Sequence, residues 1–192
     1  DPARTEVINP GIRVGSFWSE APKRPRVLFV GKLEERKGLS DLLAAAAALP
    51  EVPFRLVGWG PGEGEVARSG LANVTRVPFK TGEPLRREFA EASIFLFPSR
   101  AETFGIVIVE AMASGCAVAS SIRLPFAGER FSPGDRAGLI AAVRRLWEDP
   151  DRTQAAGRAN QEAARGFTWE HHGARLLDAY GRVLAASRGH DR

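Results

Sequence analysis

Two glutamates, Glu102 and Glu110, stand eight positions apart in surroundings that point to chemistry. Glu110 lies within the apolar run Ile106-Val-Ile-Val-Glu-Ala-Met-Ala, which we expect to be buried. An unpaired carboxylate in such a run costs several kcal/mol or takes up a proton, so it requires a hydroxyl or amide donor. The nearby sequence offers no obvious donor. A ligand rich in hydroxyls, such as a ribose or a hexose, would supply one.

A second candidate is the segment from Gly31 to Gly38, which follows an apolar run that we predict to be a strand. Its first glycine allows a phosphate to approach the backbone, and Lys32 and Lys37 can both point at one diphosphate. A solvated loop with two surface lysines is the alternative, which the motif alone leaves open. The carboxyl end of a strand in an open parallel sheet is where ligands bind, so the position favours a ligand.

The segment from Glu102 to Gly105 leads into a predicted helix, where the amides of residues 104–107 would be free donors. Such amides, together with the helix dipole, bind phosphate or sugar oxygens. The alternative is an ordinary loop before a core helix, but it leaves Glu110 without a partner. The glycine-rich turn over residues 58–62 is compatible both with a groove for a base or ribose and with a plain tight turn.

The sequence gives little support for a metal site or for a catalytic nucleophile. Asp149-Pro-Asp151 has the acid-x-acid form of a divalent-metal pair, but it lies between two predicted helices, where an aspartate cap is the simpler explanation. His171 and His172 are adjacent on a predicted helix and so diverge. Cys116 is the single cysteine, which excludes an internal disulfide, and its apolar context predicts a buried thiol.

The elements that must position these residues alternate between strand and helix. The run at 106–109 has strand propensity, yet we predict a helix there because Glu-Ala-Met-Ala follows and the next apolar run begins only at Cys116. Alternation of this kind predicts an α/β fold, an open parallel sheet with helices on both faces, followed by a helical C-terminal tail. The predicted strands are 7–9, 27–30, 54–57, 74–77, 94–97 and 117–120, and the predicted helices are 39–49, 63–71, 83–92, 106–113, 136–148, 151–165 and 169–186.

Length and charge narrow the class of protein. The 192 residues suit one sizeable domain, and the net charge of +4 comes from basic residues scattered among acidic ones, which gives no nucleic-acid footprint. A modest positive surplus suits an anionic small ligand such as a nucleoside diphosphate. No apolar run approaches the ~20 residues that span a bilayer, and we expect a cytoplasmic location. Because the chain starts at Asp1 and its only methionine is Met112, we expect a fragment of a longer product.

These motifs together resemble, from Val7 to about Ala186, the C-terminal half of the retaining, nucleotide-sugar-dependent glycosyltransferases of family 4, the group 1 type, which have the GT-B fold. The matching pieces occur in the family's order, and the combination is specific although no single piece is. They are Asn9-Pro-Gly, Val30-Gly-Lys-Leu with Lys37-Gly38, Leu56-Val-Gly-Trp-Gly-Pro, Val77-Pro-Phe79, Phe97-Pro-Ser99, Glu102 through Glu110 as the Glu-x7-Glu motif, Phe167-Thr-Trp169 and Tyr180.

The resemblance implies a role for each matching position. The donor is a nucleoside diphosphate sugar, and neither a prosthetic group nor a metal is expected. Lys32 and Lys37, beside Gly31, would hold the diphosphate and stabilise it as it leaves, while Glu102 would contact hydroxyls of the donor sugar. The remaining roles fall to the backbone amides of Phe104, Gly105 and Ile106 at the sugar or phosphate, to Glu110 at the ribose hydroxyls, and to Val77 and Phe79 at the base.

The resemblance also implies a domain organisation. Residues 1–25 would be a hinge or lead-in, residues 26–192 the nucleotide-sugar-binding Rossmann-like domain, and the N-terminal Rossmann domain with the acceptor site would be absent. That absent half would be the main partner, and contact with a membrane surface through it is left open. Isolated, the fragment should bind nucleotide and catalyse little.

Two features set the chain apart from the family pattern, and other functions stay open. Lys32 replaces the usual arginine and loses its bidentate fork, and segment 120–128 is shorter than the family's usual loop. A binding module that acts with a separate partner chain is one alternative. Another GT-B enzyme, such as an epimerase, is a second, although the sequence shows no persuasive acid/base set. A pyridoxal phosphorylase would need a Schiff-base lysine, for which Lys80 is a poor candidate.

Overall fold

A computed structural model of the protein describes residues 5–188 and has a six-stranded sheet at its centre. The strands are Arg24–Val30 (β1), Phe54–Val57 (β2), Val74–Val77 (β3), Ala92–Phe97 (β4), Ala117–Ser120 (β5) and Gly128–Arg130 (β6). They run in the order β3-β2-β1-β4-β5-β6, and every neighbouring pair is parallel.

Helices cover both faces of the sheet, and the chain ends in a helical tail. The helices are Val14–Phe17 (α1), Leu39–Ala48 (α2), Glu63–Arg68 (α3), Gly82–Glu91 (α4), Ile106–Ala113 (α5), Arg136–Glu148 (α6), Pro150–Ala164 (α7) and Trp169–Arg188 (α8). The predicted Rossmann-like α/β fold is therefore confirmed. None of the helices among residues 5–188 is both long and apolar enough to cross a bilayer.

The centre of the sheet forms because residues 27–30 of β1 and 94–97 of β4 are unbroken apolar runs. Burial on both faces removes the polar alternation that a half-exposed strand would show. Residues 27–30 and 94–97 are buried, and the rings of Phe29 and Phe97 stack with centroids 6.2 Å apart. These two strands fix the position of the edge at which the segment from Gly31 to Gly38 and the Glu102 segment both begin.

Helix α5 resolves the conflict between strand propensity and helix pattern in favour of the predicted helix. Its β-branched residues would suit a strand, but Ile108, Val109 and Met112 are fully buried between α7 and the sheet. A helix that is apolar on nearly every side belongs in a core, where packing outweighs a propensity difference of a few tenths of a kcal/mol. The core packing consequently fixes where the N-terminus of α5 lies.

Two aspartates cap the N-termini of helices α6 and α7. The Asp135 carboxylate accepts a hydrogen bond from the amide of Gly138 at 2.9 Å, and Asp149 accepts from the amide of Arg152 at 2.9 Å. Each bond satisfies one of the free amides of a first helical turn. Asp149 is therefore the predicted cap of α7.

The predicted strand at residues 7–9 is wrong. That segment lies against the C-terminal helical region, where it has no sheet edge to join and where Pro10 has no amide to donate. A single parallel bridge links Ile12 to Thr168, and the Asn9 carbonyl lies 2.8 Å from Nδ1 of His172. The lead-in is thereby held beside the carboxyl end of the sheet.

Two short elements were not predicted. Helix α1 has four residues, and β6 has three that carry no apolar run. Strand β6 exists because its backbone pairs with the edge of β5, from Val118↔Gly128 to Ser120↔Arg130. Backbone pairing of this kind leaves no hydrophobic pattern to read.

The order of the strands creates a crevice between β1 and β4. After β1 the chain proceeds outward through β2 and β3, and it then crosses back to place β4 on the other side of β1. The loops after β1 and β4 therefore leave the sheet in opposite directions. In open parallel sheets, ligands bind outside the carboxyl ends of the strands at such a switch point.

Candidate functional site

A cavity of about 370 Å³ lies at this switch point, outside the carboxyl ends of β1 and β4. The loop after β1, the loop after β4, the first turn of α5 and one residue of the lead-in form its walls. Its lining residues are Pro10, Val30, Gly31, Lys37, Phe97, Glu102, Thr103, Phe104, Gly105, Ile106 and Val107.

Lys37 and Glu102 face each other inside this cavity. The Lys37 ammonium lies 2.5 Å from Oε2 of Glu102, and the two side chains are only 14% and 19% exposed. The ammonium also lies 5.5 Å from the centroid of the Phe97 ring, close enough for a cation–π contact. Oε1 of Glu102 accepts a hydrogen bond from the amide of Thr103 at 3.1 Å. The cavity thus has one shielded cation and one shielded anion.

The loops that carry this pair are joined through their backbones. The amide of Arg100 donates to the Arg36 carbonyl at 3.0 Å, next to Lys37. Gly38 has φ of +78°, and a Cβ there would lie 2.3 Å from the carbonyl oxygen of Pro98. Only glycine allows so close an approach in this left-handed conformation. The separation of the two loops that carry Lys37 and Glu102 is therefore set by backbone contacts.

The buried carboxylate of Asp41 also restrains the loop after β4. Asp41, on α2, is almost fully buried, and its carboxylate lies 3.2 Å from the guanidinium of Arg100 and 3.2 Å from that of Arg136. Arg100 also pairs with Glu35 at 2.5 Å. These ion pairs tie the loop after β4 to α2 and α6, so they restrain the segment on which Glu102 lies.

The N-terminus of α5 opens into the cavity. Its cap is Gly105, with φ of +88° and no side-chain hydrogen bond to the helix. In the described part of the chain, the amides of Phe104, Gly105 and Ile106 donate to no carbonyl or side chain. These donors and the positive end of the helix dipole favour an anionic or hydroxyl-rich ligand.

Glu110 lies one turn beyond the cavity, outside its lining. It is on the same face of α5 as Ile106, which lines the cavity. The carboxylate is half-buried, and burial raises its pKa to about 7. Among residues 5–188, no hydrogen bond or ion pair reaches it. The chemical need that the sequence indicated, a carboxylate without a protein partner, is present in the structure.

Three other predicted positions lie outside the cavity lining. Lys32 is 45% exposed, pairs with Glu34 at 2.9 Å, and its ammonium lies 5.8 Å from the Trp59 ring centroid. Val77 is buried at the end of β3, whereas Phe79 is 62% exposed on the loop that follows. The structure thus brings Gly31, Lys37, Glu102 and the first turn of α5 together and leaves these three positions at or beyond the rim.

The sequence reading missed the residues that hold the site. Asp41 could have been suspected, because it is a lone acid in the apolar helix sequence Leu39-Ser-Asp-Leu-Leu. Arg100 stands two positions before Glu102, but nothing in the sequence indicates that it pairs with Asp41, 59 residues away. Thr103 and Pro10, which line the cavity, lie within segments that the sequence analysis singled out, but neither residue was assigned a role there.

A larger depression, of about 750 Å³, lies at the opposite edge of the sheet. It is bounded by Lys23, Ser93 and Gly115 at the amino ends of strands, and by Trp147 and Arg158. The Lys23 ammonium already donates to the Phe89 and Ser114 carbonyls. We assign the smaller cavity as the candidate site because of its place at the carboxyl ends. The described residues contain no group of three or more His, Cys, Asp or Glu side chains placed to hold a metal ion.

Comparison with known proteins relates this chain to a family of glycosyltransferases. The sequence profile described as "Glycosyl transferases group 1" matches residues 24–149, well over half of the chain. A D-inositol 3-phosphate glycosyltransferase of Mycolicibacterium vanbaalenii is 31% identical over 229 residues, covering 98% of this chain and 50% of that protein. The sulfoquinovosyl transferase SQD2 of Arabidopsis thaliana is 28% identical over 77% of this chain and 31% of its own length.

Solved structures agree with this context. A sucrose-phosphate synthase from Thermosynechococcus elongatus superimposes with a TM-score of 0.79 at 26% identity, over 94% of this chain and 53% of that chain. Anabaena HepE in complex with UDP gives 0.78 at 23% identity, over 92% and 57%, and shows the fold alone. The chain spans about half the length of the curated relatives it matches. On the profile match and the fold, this chain belongs to the group 1 glycosyl transferases and is a GT-B glycosyltransferase domain.

Proposed function

We propose that this chain is the donor-binding domain of a retaining glycosyltransferase of family 4. The reaction moves a hexose from a nucleoside diphosphate sugar to an acceptor hydroxyl, with retained anomeric configuration and without a metal ion. The observation that carries the proposal is the cavity at the switch point, where Lys37, Glu102 and the first turn of α5 converge. The Glu-x7-Glu spacing of Glu102 and Glu110 supports the retaining family.

Charge stabilisation at the leaving group is the first task of the site. A diphosphate gains negative charge as the bond to the sugar breaks, so fixed positive groups lower the barrier without reorganising. Lys37 supplies one such group at the cavity wall. Lys32 supplies a second from the rim, and the amides of residues 104–106 add the dipole of α5. In this proposal the positive charges do the work that a metal ion does elsewhere.

Recognition of the two sugar rings falls to the two glutamates. A carboxylate only accepts hydrogen bonds, and a ring of hydroxyls offers several donors. Glu102, inside the cavity, contacts the transferred hexose. Glu110, half-buried and without a protein partner, accepts from the ribose hydroxyls. The stretch from Val77 to Phe79 lines the base pocket.

The acceptor site belongs to the half that the relatives have and this chain does not span. Catalysis by positioning and water exclusion requires both sides of a cleft, and positioning can lower the activation barrier by about 7–11 kcal/mol. We therefore expect no more than trace transfer from this chain by itself. Robust transfer by the chain alone, measured as release of nucleoside diphosphate with acceptor present, would overturn this part of the proposal.

A second candidate function is a nucleotide-sugar-binding module that acts with a separate partner chain. The relatives are about twice as long as this chain, which indicates that a second half is needed. That half can lie on another polypeptide. The two candidates share the same donor site. An acceptor-type Rossmann domain encoded in frame upstream of these residues eliminates the second candidate.

Calorimetric titration tests the donor site itself. Uridine diphosphate and guanosine diphosphate are titrated into the chain in the presence of a chelator, and we expect weak binding of at least one of them. Heat from neither nucleotide contradicts the proposal. Recovery of binding only when a divalent metal is added contradicts the metal-independent part alone.

Glu110 makes donor binding depend on pH. Its pKa of about 7 leaves the carboxyl largely protonated at pH 6, and ribose hydroxyls bind the ionised form more strongly. Binding therefore favours proton release, so affinity should rise with pH through 7, by up to about tenfold between pH 6 and 8. The probe is uridine diphosphate glucose, because its phosphates lack the group that titrates near pH 6 in a terminal phosphate.

Two variants control this pH experiment. Glu110→Gln removes the titrating group, and its affinity profile should be flat over the same range. Glu148→Gln removes an exposed carboxylate on α6 and should keep the rise seen in the original chain. An equally steep rise in the Glu110→Gln chain would assign the titration to another group.

A further inference from the structure

The ammonium of Lys37 already has a counter-ion in the site. Oε2 of Glu102 lies 2.5 Å away, and both side chains are largely shielded from water. Shielding strengthens the interaction between two charges relative to a solvated pair. A diphosphate that comes to Lys37 therefore meets a cation already neutralised, with a carboxylate beside it.

The backbone segment that carries the Glu102 carboxylate is held on both sides. Upstream, Arg100 is restrained by the hydrogen bond that its amide donates to the Arg36 carbonyl and by its ion pair with Asp41. Downstream, Gly105 begins α5, whose buried residues anchor it in the core. Glu102 itself accepts from the Thr103 amide. An anion that binds to Lys37 consequently lies close to the Glu102 carboxylate.

The Glu102 carboxylate should affect the binding of a bare diphosphate and of a sugar-bearing diphosphate differently. A bare nucleoside diphosphate brings only negative oxygens to a carboxylate, which is a like-charge contact that nothing in the ligand relieves. A sugar-bearing diphosphate has one fewer ionisable oxygen and brings hydroxyl donors that the carboxylate can accept from. Discrimination by repulsion of the wrong ligand is a common route to specificity.

We propose that Glu102 is a specificity-determining residue that makes the site prefer a sugar-bearing diphosphate to the bare diphosphate left after transfer. The inference rests on the proposed function, since it takes the cavity to be the donor site. Glu102 acts through its charge as the counter-ion of Lys37, in addition to any hydrogen bond with the sugar. Product release is then assisted, because Glu102 regains its ion pair with Lys37 when the sugar has gone.

The pair at Lys32 provides an internal contrast. Glu34 lies 2.9 Å from the Lys32 ammonium, and the Glu34 side chain is 16% exposed, but the lysine side chain is 45% exposed and outside the cavity lining. Water and salt screen a pair whose cation is exposed, which weakens its interaction. Losing the charge at Glu34 should therefore change discrimination far less than losing it at Glu102.

The test compares three ligands in three variants by calorimetry: pyrophosphate, uridine diphosphate and uridine diphosphate glucose. For Glu102→Gln we expect affinity for pyrophosphate and uridine diphosphate to rise by about fivefold, while affinity for uridine diphosphate glucose falls or stays constant. Glu102→Asp keeps the charge and should retain weak binding of the bare diphosphates. Glu34→Gln should resemble the original chain, and thermal melting checks that each variant is folded.

The outcomes separate this inference from the proposed function. If Glu102→Gln leaves the affinity for bare diphosphates unchanged while the original chain binds nucleotide, the inference is wrong and the donor site stands. If Glu102→Asp gains affinity as much as Glu102→Gln does, side-chain size and not charge is responsible, which also overturns it. If the original chain binds none of the three ligands, the donor site itself is wrong.

Discussion

Replacing Lys37 with alanine should weaken binding of uridine diphosphate by about 10- to 100-fold, because a charge-assisted hydrogen bond contributes about 1.5–3 kcal/mol. Lys37 is the one lysine in the cavity lining among the described residues. Its removal also leaves the Glu102 carboxylate without a counter-ion next to the incoming phosphates. Both effects act in the same direction, so we expect the loss to exceed that caused by any single exposed charge. Calorimetric titration of the folded variant provides the measurement.

Two further variants show whether the loss is local. Arg144→Ala removes an exposed positive charge on α6, which pairs with Glu148, and should leave nucleotide affinity within about twofold of the original. Lys37→Arg keeps the charge and should recover part of the binding. Equal affinity of the Lys37→Ala chain and the original would show that the diphosphate does not bind at this wall of the cavity.

The fold could be predicted because its central strands are buried on both faces. Such strands leave continuous apolar runs, as in β1 and β4, and the helices between them leave either alanine-rich or amphipathic segments. Strand β6 has no such apolar run and was not predicted. The three residues of β6 pair through their backbone alone, and Glu129 within it is buried against Arg145 and Arg152, an arrangement without a local pattern.

The candidate site could be predicted only in part, for a related reason. Glycines and lysines after a strand, and a loop before a helix, can each be assigned to the carboxyl edge of the sheet from local sequence. The pairing of Lys37 with Glu102, 65 positions later, depends on how closely two loops approach. That approach is set by Gly38 against Pro98 and by the buried Asp41, and distances of this kind leave no periodicity in a sequence.

A second buried carboxylate, Glu88 on α4, shows how the fold restrains the loop that carries Phe79. It is 6% exposed and accepts hydrogen bonds from Nη2 of Arg55 at 2.8 Å and from the Lys80 ammonium at 2.6 Å. Burial raises the pKa of Glu88, but the bonds from Arg55 and Lys80 outweigh burial and lower the pKa to about 2. The Lys80 bond ties the segment after β3 to α4, beside the proposed base pocket.

The lowered pKa predicts how stability depends on pH. Because the folded chain holds Glu88 ionised down to about pH 2, whereas an unfolded glutamate has a pKa of 4.5, the unfolded state binds more protons between these values. The contribution of Glu88 is therefore fully present above pH 4.5 and is lost as the pH falls toward 2. The difference corresponds to about 3 kcal/mol of unfolding free energy at neutral pH.

Glu88→Gln should accordingly lower the free energy of unfolding at pH 7 by about 3 kcal/mol or more, since it leaves Arg55 and Lys80 without their shared anion. The deficit relative to the original chain should shrink progressively as the pH is lowered from 4.5 toward 2. Urea unfolding followed by circular dichroism at several pH values measures both quantities. Glu83→Gln, on the exposed face of the same helix, should change stability little at any pH. A deficit that stayed constant down to pH 2 would mean that packing, and not the ionised carboxylate, accounts for the contribution of Glu88.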